Sequence, residues 1–339
     1  MQIRKHVSLK NLNTFGIDAV ADSLVELVSL PDAIAYFQNE HDASAKSLVL
    51  GGGSNVLFLD DFHGRVIGNR LKGITEIDAD AEHVYLEVAA GENWHQFVLH
   101  CITNNLGGVE NLSLIPGNVG ASPMQNIGAY GVEVKDVIAE VKAIEIASGK
   151  TRSFGVPECE FGYRSSVFKT SLKDKYFITS VVFRLNKHPE FNISYGAIAT
   201  ELATFADPRP SLANISQAVI NIRESKLPNP NVVGNAGSFF KNPIIPKTHY
   251  EELKEKFPSM PVYPISPENV KVPAGWLIEQ CGWKGKDLGG YGVHKDHSLV
   301  LVNYGGASGR KIFQLSEDII DAVQEKFGIR LEREVNVVG

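Results

Sequence analysis

Cysteine is scarce: Cys101, Cys159 and Cys281 are the only three in 339 residues, widely spaced and without a CxxC pair. That excludes a disulfide framework and a sulfur-rich metal site, and it suits a reducing cytosol. Long hydrophobic runs are missing too. No window approaches the ~20 apolar residues of a membrane helix, and the opening MQIRKHVSLKNLNTF has no apolar stretch of signal-peptide length. The expectation is a soluble, cytoplasmic protein with no membrane association. Positive charge is not in excess either: 33 Lys plus Arg against 39 Asp plus Glu leave a formal charge of −6. Such a chain has no electrostatic footprint for nucleic acid, and any anionic ligand has to be met by local groups. Repeats and low-complexity tracts are absent. Hydrophobic residues at 43% and charged residues at 21% exclude wholesale disorder. The length favours two or three domains.

Familiar catalytic signatures are also lacking. No Gly-Lys-Ser/Thr ending follows the glycines at 51–53, and no GxGxxG opens a helix. Gly237 precedes Ser238 but Phe239 follows it, so there is no Gly-x-Ser-x-Gly elbow and hydrolase chemistry gains little support.

What is present reads as a mixed α+β chain. Apolar runs at 24–30 and 47–50 flank a segment where Pro31 suits a first helical turn, giving a β–α–β unit at the start. The second run leads straight into a glycine-rich turn and a further strand. Residues 84–89 alternate as a half-buried strand, and Trp94, Phe97, Val98, Cys101 and Ile102 then recur at helical intervals until Gly107-Gly108. The glycine-rich stretch 107–131 reads as a long functional loop. A hairpin is predicted over 137–154, and strands over 176–185, 218–222 (AVINI), 297–303 and 329–338. Helices are predicted over 274–281 and, from the spacing of Ile312, Leu315, Ile319, Val323 and Phe327, up to Gly328. A turn to loop-rich composition places a domain boundary near 226.

Five segments could carry chemistry. In Gly51-Gly52-Gly53-Ser54-Asn55, bare backbone N–H groups can converge on a phosphate, though the same residues also make a tight turn. In 114–131, Ser122, Gln125 and Asn126 add neutral donors, and two such loops together favour a pyrophosphate ligand. Arg164, between Tyr163 and Ser165, can grip a carboxylate or phosphate bidentately or serve a surface ion pair. Ser238, beside Phe239 and Phe240, is either a core turn or a hydroxyl that needs a partner. Glu332 and Glu334, two apart, share a strand face as a solvated ladder or a working pair. His294 and His297 are weak metal candidates, with no carboxylate cluster beside them.

Taken in order, Asn13-Thr14-Phe15-Gly16, GGGSNVLF at 51–58, IPGNVGASPMQNIGAYG at 115–131, GYRSS at 162–166, IRxxKLPNP at 222–230, NAGSFFKNP at 235–243, AGWLIEQCG at 274–282 and LEREV at 331–335 resemble one family nearly end to end. It is the UDP-N-acetylenolpyruvoylglucosamine reductases, the MurB flavoenzymes of peptidoglycan synthesis. The resemblance implies an FAD-binding part of the vanillyl-alcohol-oxidase type in two lobes, at 1–75 (rejoined by 328–339) and 76–225, with a substrate domain at 226–327. It implies non-covalent FAD, consistent with a GGGSN loop free of His and Cys, and NADPH as hydride donor. FAD contacts then fall to Thr14 and Gly16, to Gly51 through Asn55, and to Pro116, Gly117, Gly120, Ala121, Ser122, Gln125, Asn126, Gly128, Ala129, Tyr130 and Gly131.

The implied reaction gives the remaining segments roles. NADPH and UDP-N-acetylglucosamine enolpyruvate would alternate at one cleft, hydride would reach the vinyl methylene, and charge would develop on the neighbouring carboxylate. Arg164 and a protonated Glu334 match the residues that stabilise that charge, and Ser238 matches the proton donor to the α-carbon. Tyr163, Tyr195, Arg223, Lys226 and Asn242 match substrate contacts, with Tyr195 on the segment found in the family's longer form. His297 is a further expected substrate contact, standing where a relative carries Gln, and Arg333 stands where Pro is familiar. A monomer is expected. A sugar or lactone oxidase of the same fold is the alternative within the class, and a non-catalytic nucleotide-sugar sensor the alternative outside it.

Overall fold

A computed structural model describes residues 2–42 and 44–339. The chain divides into two compact units. The first comprises the described residues through Val7, Ala21–Gly52 and His63–Ser225; the second comprises Ser8–Val20, Gly53–Phe62 and Lys226–Gly339.

The first unit is built on two sheets. In the four-stranded sheet the order is Ile3–Ser8, Val20–Leu27, Phe62–Asn69, Ser47–Leu50, with the last two parallel. A strand at Ile3–Ser8 thus precedes the β–α–β unit read from sequence as the opening. Its side chains are nearly all exposed, so no apolar alternation announces it. Helix Leu30–Ala35 begins where Pro31 allows, and the Ser29 side chain accepts the Asp32 N–H at 3.2 Å. The five-stranded sheet is antiparallel throughout, in the order Thr151–Gly155, Ile138–Glu145, Tyr176–Asn186, His83–Ala89, Ile74–Ala79. One face packs Val84, Leu86, Val88, Val141, Val181 and Phe183 against Trp94, Phe97, Val98 and Cys101 of helix Trp94–Thr103. That helix starts at Asn93, whose side chain accepts the Gln96 N–H at 3.0 Å.

One expectation fails here. The segment at 218–222, read as a strand from its Val and Ile, lies inside helix Leu212–Lys226. Its buried residues Leu212, Ile215, Val219 and Ile222 recur at three- and four-residue steps, and Ile215, Val219 and Ile222 pack on Ile198 and Leu202 of helix Gly196–Leu202. A packed apolar stripe outweighs the modest helix penalty of β-branched side chains.

In the second unit, helix Gly309–Phe327 buries Ile312, Leu315, Ile319, Val323 and Phe327 as its spacing predicts, and it ends at Gly328 in the left-handed conformation (φ 67°). Helix Ala274–Gln280 packs Trp276 on Phe327 with ring centroids 5.8 Å apart, and Phe257 meets the same ring at 4.9 Å. The predicted strand at 297–303 shortens to Leu301–Asn303, paired with Tyr291–Val293. The predicted strand at 329–338 shortens to Asn336–Val338, which pairs in parallel with Val56–Phe58. Between these pairs, 234–241 forms bridges Gly234 to Asn303, Ser238 to Val300 and Phe240 to Arg333. All three cysteines are free thiols. Burial pushes the Cys159 thiol up to about 12 and raises that of Cys101 as well, leaving both unreactive. Among the described residues no helix is long and apolar enough to cross a membrane.

Candidate functional site

Within the first unit the two glycine-rich loops meet. A Cβ on Gly52 would lie 3.0 Å from Asn118 Oδ1 and 3.1 Å from the Gly117 Cα, so the backbones approach as closely as glycine permits. Arg70 holds the first loop, donating from Nη1 to the Gly51 carbonyl at 2.9 Å. The second loop hangs on the segment before helix Trp94–Thr103: Val119 N–H donates to Glu92 O, Gly120 N–H to Ala90 O and Trp94 N–H to Gly117 O, at 2.9, 2.9 and 3.0 Å. Gly120 has no alternative there, since a Cβ would fall 2.5 Å from that of Ala90. Ser122 is buried, and its hydroxyl has no hydrogen-bond partner in the protein. A buried polar atom left open in this way calls for a ligand or water.

Asn126, expected as a neutral donor to that ligand, is fully committed inside the protein. Its Nδ2 donates to Glu133 Oε2 (3.1 Å) and Gly162 O (3.0 Å), and its Oδ1 accepts the Lys135 N–H (3.1 Å). It ties the loop to the GYRSS segment. Gln125 accepts from Lys169 Nζ at 3.3 Å. Arg164, at φ 52°, donates to Gly128 O at 2.6 Å and lays its guanidinium 5.5 Å from the Tyr163 ring centre. Ser166 Oγ donates to Met124 O at 2.7 Å. The arginine is therefore aimed by the loop it adjoins.

Arg223, matched to a substrate contact, is engaged within the protein. Its Nε donates to Leu114 O at 3.2 Å and its guanidinium hydrogen-bonds the Tyr130 hydroxyl, while burial lowers its pKa. Tyr130 meets Tyr195 edge-on at 5.3 Å, and Tyr195 itself stays exposed. His95 Nδ1 accepts the Leu114 N–H at 3.0 Å, and burial together with the Arg223 charge holds the imidazole below its ordinary 6.5. Arg70, His95 and Asn118 thus support the loops although sequence reasoning passed over them. Only Asn118 had a signal, its place inside the PGNVG run.

The second unit presents the other named residues. Gly53, at φ 64°, passes so close to the chain at Leu12 that a Cβ would sit 1.9 Å from the Leu12 carbonyl oxygen. The Thr14 N–H donates to Gly53 O at 3.0 Å, and the Asn235 N–H to Thr14 O at 3.0 Å. Buried Asn13 knits this loop through Leu9 O, Ile17 O and the Ile17 N–H. Asn55 donates to Glu334 O at 3.3 Å. Ser238 is half-buried rather than walled in; the buried rings are Phe239 and Phe240, and Phe239 packs on Phe15 at 6.1 Å. The Glu334 N–H donates to Phe239 O at 2.8 Å, which puts Ser238 and Glu334 on neighbouring extended segments.

The two terminal glutamates separate in environment. Glu332 is largely exposed and pairs with Lys241 at 3.0 Å, whereas Glu334 is half-buried. Asn242, expected to touch substrate, caps helix Ala274–Gln280 by accepting the Ala274 N–H at 2.9 Å. Lys226 is exposed at the end of its helix. His294 Nδ1 is buried without a partner, and among the described residues no group of three His, Cys, Asp or Glu comes together as a metal site around it or His297.

A cavity of about 580 Å³ lies elsewhere in the first unit, between Val28–Leu30, Leu71–Gly73 and the polar face of the five-stranded sheet. Its cations are already engaged: Lys142 with Glu87 at 2.7 Å, Lys72 with Glu92 at 3.2 Å and Arg152 with Glu158 at 3.0 Å.

Comparison with known proteins adds identity to this geometry. One family model, described as an FAD binding domain, matches residues 23–155, and another, described as the UDP-N-acetylenolpyruvoylglucosamine reductase C-terminal domain, matches 229–338. The chain is 50% identical to the UDP-N-acetylenolpyruvoylglucosamine reductase of Flavobacterium johnsoniae, with all of both chains covered. It is 47% identical to that of Amoebophilus asiaticus at the same coverage. The crystal structure of the enzyme (MurB) from Thermus caldophilus matches all of both chains with a TM-score of 0.69 at 25% identity.

Proposed function

Because this chain belongs to the UDP-N-acetylenolpyruvoylglucosamine reductase family, we propose a division of labour among its residues for that reaction. The enzyme is an FAD-dependent oxidoreductase with a vanillyl-alcohol-oxidase-type FAD-binding domain, and it makes UDP-N-acetylmuramate for peptidoglycan synthesis. FAD, when bound, takes hydride from NADPH and supplies it to the enolpyruvyl group of UDP-N-acetylglucosamine enolpyruvate. The residues present fit it: two glycine-rich backbones in contact and the open hydroxyl of Ser122 match a pyrophosphate's need for small, neutral donors.

Arg164 pairs with the substrate carboxylate as charge develops there, its approach angle set by its bond to Gly128 O. Glu334, in the second unit, stabilises developing charge from its protonated form. Ser238 Oγ delivers a proton to the α-carbon. Lys226, Tyr195 and Tyr163 hold the substrate's diphosphate and sugar, while Arg223 acts through Tyr130 and Asn242 through its helix. NADPH and the enolpyruvyl substrate alternate at one site, and the protein works as a cytoplasmic monomer.

The observation that carries this reading is the Glu334 N–H bond to Phe239 O, which sets the acid and the hydroxyl on adjacent segments. It is tested by following flavin colour in stopped flow. Ser238→Ala should leave reduction by NADPH near wild type and slow reoxidation by the enolpyruvyl substrate by about 10²–10⁴-fold. Equal slowing of both half-reactions would remove the proton-donor role.

A further inference from the structure

The short segment that carries Glu334 has little regular structure of its own. Residues 329–335 lie between the end of helix Gly309–Phe327 and strand Asn336–Val338, and they meet 234–241 through the bridge of Phe240 to Arg333, its flanking bonds and the Lys241–Glu332 ion pair. The Glu334 backbone is bonded to Phe239 O and to Asn55, and the side chain of its neighbour Arg333 adds an anchor on the helix, which matters because the direction of a carboxyl follows the backbone beneath it.

Arg333 is built for that. Phe313, Ser316 and Glu317 stand at three- and four-residue steps on helix Gly309–Phe327, and so on one face. The Arg333 guanidinium meets all three. Its carbon lies 4.5 Å from the Phe313 ring centre, Nε donates to Ser316 Oγ at 2.8 Å, and Nη2 donates to Glu317 Oε1. Ser316 is buried and turns its own proton to Phe313 O at 2.6 Å, so its lone pairs remain for the arginine. A planar group held by a ring face, a hydroxyl and a carboxylate has little freedom left. In extended backbone neighbouring side chains point oppositely. An arginine clamped to the helix therefore turns both glutamates to the other side, where Lys241 takes Glu332.

We propose that Arg333 is the positioning residue for Glu334, fixing the direction of its carboxyl through the clamp on the helix. This rests on the reading in which Glu334 acts on the enolpyruvyl substrate. The experiment uses the FAD-loaded enzyme and both half-reactions, with Arg333→Met, Glu317→Gln, Glu334→Gln and the double variant Arg333→Met/Glu334→Gln. A misplacement of about 1 Å is worth on the order of 10²-fold. Arg333→Met should slow reoxidation by about 10- to 100-fold, leave NADPH reduction unchanged, and add nothing to Glu334→Gln in the double variant. Glu317→Gln, which loosens the clamp from its outer side, should give the same split in smaller measure and serves if Arg333→Met does not fold. Normal reoxidation in Arg333→Met and Glu317→Gln, or additive slowing in the double variant, overturns the positioning role while Glu334 stands. Normal reoxidation in Glu334→Gln overturns the Glu334 reading, and the positioning role falls with it.

Discussion

At the scale of single residues, Gly53 and Gly120 leave no room for an added atom. Gly53→Ala would need both a left-handed alanine and a shift of the Leu12 backbone, since the new carbon would fall inside the contact distance of its carbonyl oxygen. It should cost about 2–4 kcal/mol in urea unfolding and yield protein with less flavin. Wild-type stability and flavin content would show that the loop yields more easily than its geometry implies. In the sequence, Gly53 is recognisable as part of a phosphate-type loop. The contact with Leu12 is not, because it depends on where a distant stretch of chain passes. Asn126 shows the same limit from the other side. Residue type suggests a donor to a ligand, and only the positions of Glu133, Gly162 and Lys135 reveal that the amide is taken.

At the scale of elements, several side chains hold the second glycine-rich loop, and Asn126 bonds it to the segment bearing Arg164. Asn126→Ala removes three hydrogen bonds, two of them from backbone groups. The expected loss is about 1–3 kcal/mol, read as a lower melting temperature, with flavin lost more readily on dialysis. Gln125→Ala should be milder on both counts. Helices with long apolar stripes were legible, as at 309–327, because many turns repeat the signal. Short windows misled. Five residues at 218–222 look like a strand alone, and the stripe through Leu212, Ile215, Val219 and Ile222 emerges only over the full helix. Strand Ile3–Ser8 stayed hidden because its exposed side chains carry no alternation.

At the scale of the molecule, burial leaves His41, His95 and His294 all with lowered pKa. The folded protein therefore binds fewer protons than the unfolded chain just below the ordinary value of 6.5. Stability from these groups is present above that pH and falls as the pH drops through the lowered folded values. Melting temperature should decline from pH 7 toward pH 5, and His95→Gln should flatten part of that decline. An unchanged slope in His95→Gln would mean that His95 binds protons alike in the folded and unfolded states. The make-up of the two units was the least legible feature. A change near 226 shows in composition, but the membership of Ser8–Val20 and Gly53–Phe62 in the second unit is set by pairings remote in sequence.

One such pairing bears on how the protein is made. Val56–Phe58 is buried and finds its parallel partner in Asn336–Val338; Asn55 and Asn336, beside them, are 281 residues apart. Synthesis at about 5–20 residues per second separates the two strands by roughly 15–60 s. For that interval the nascent chain carries an apolar strand whose partner does not yet exist. This pairing can close only after Asn336–Val338 has been synthesised, so the second unit is completed late rather than by local pairing.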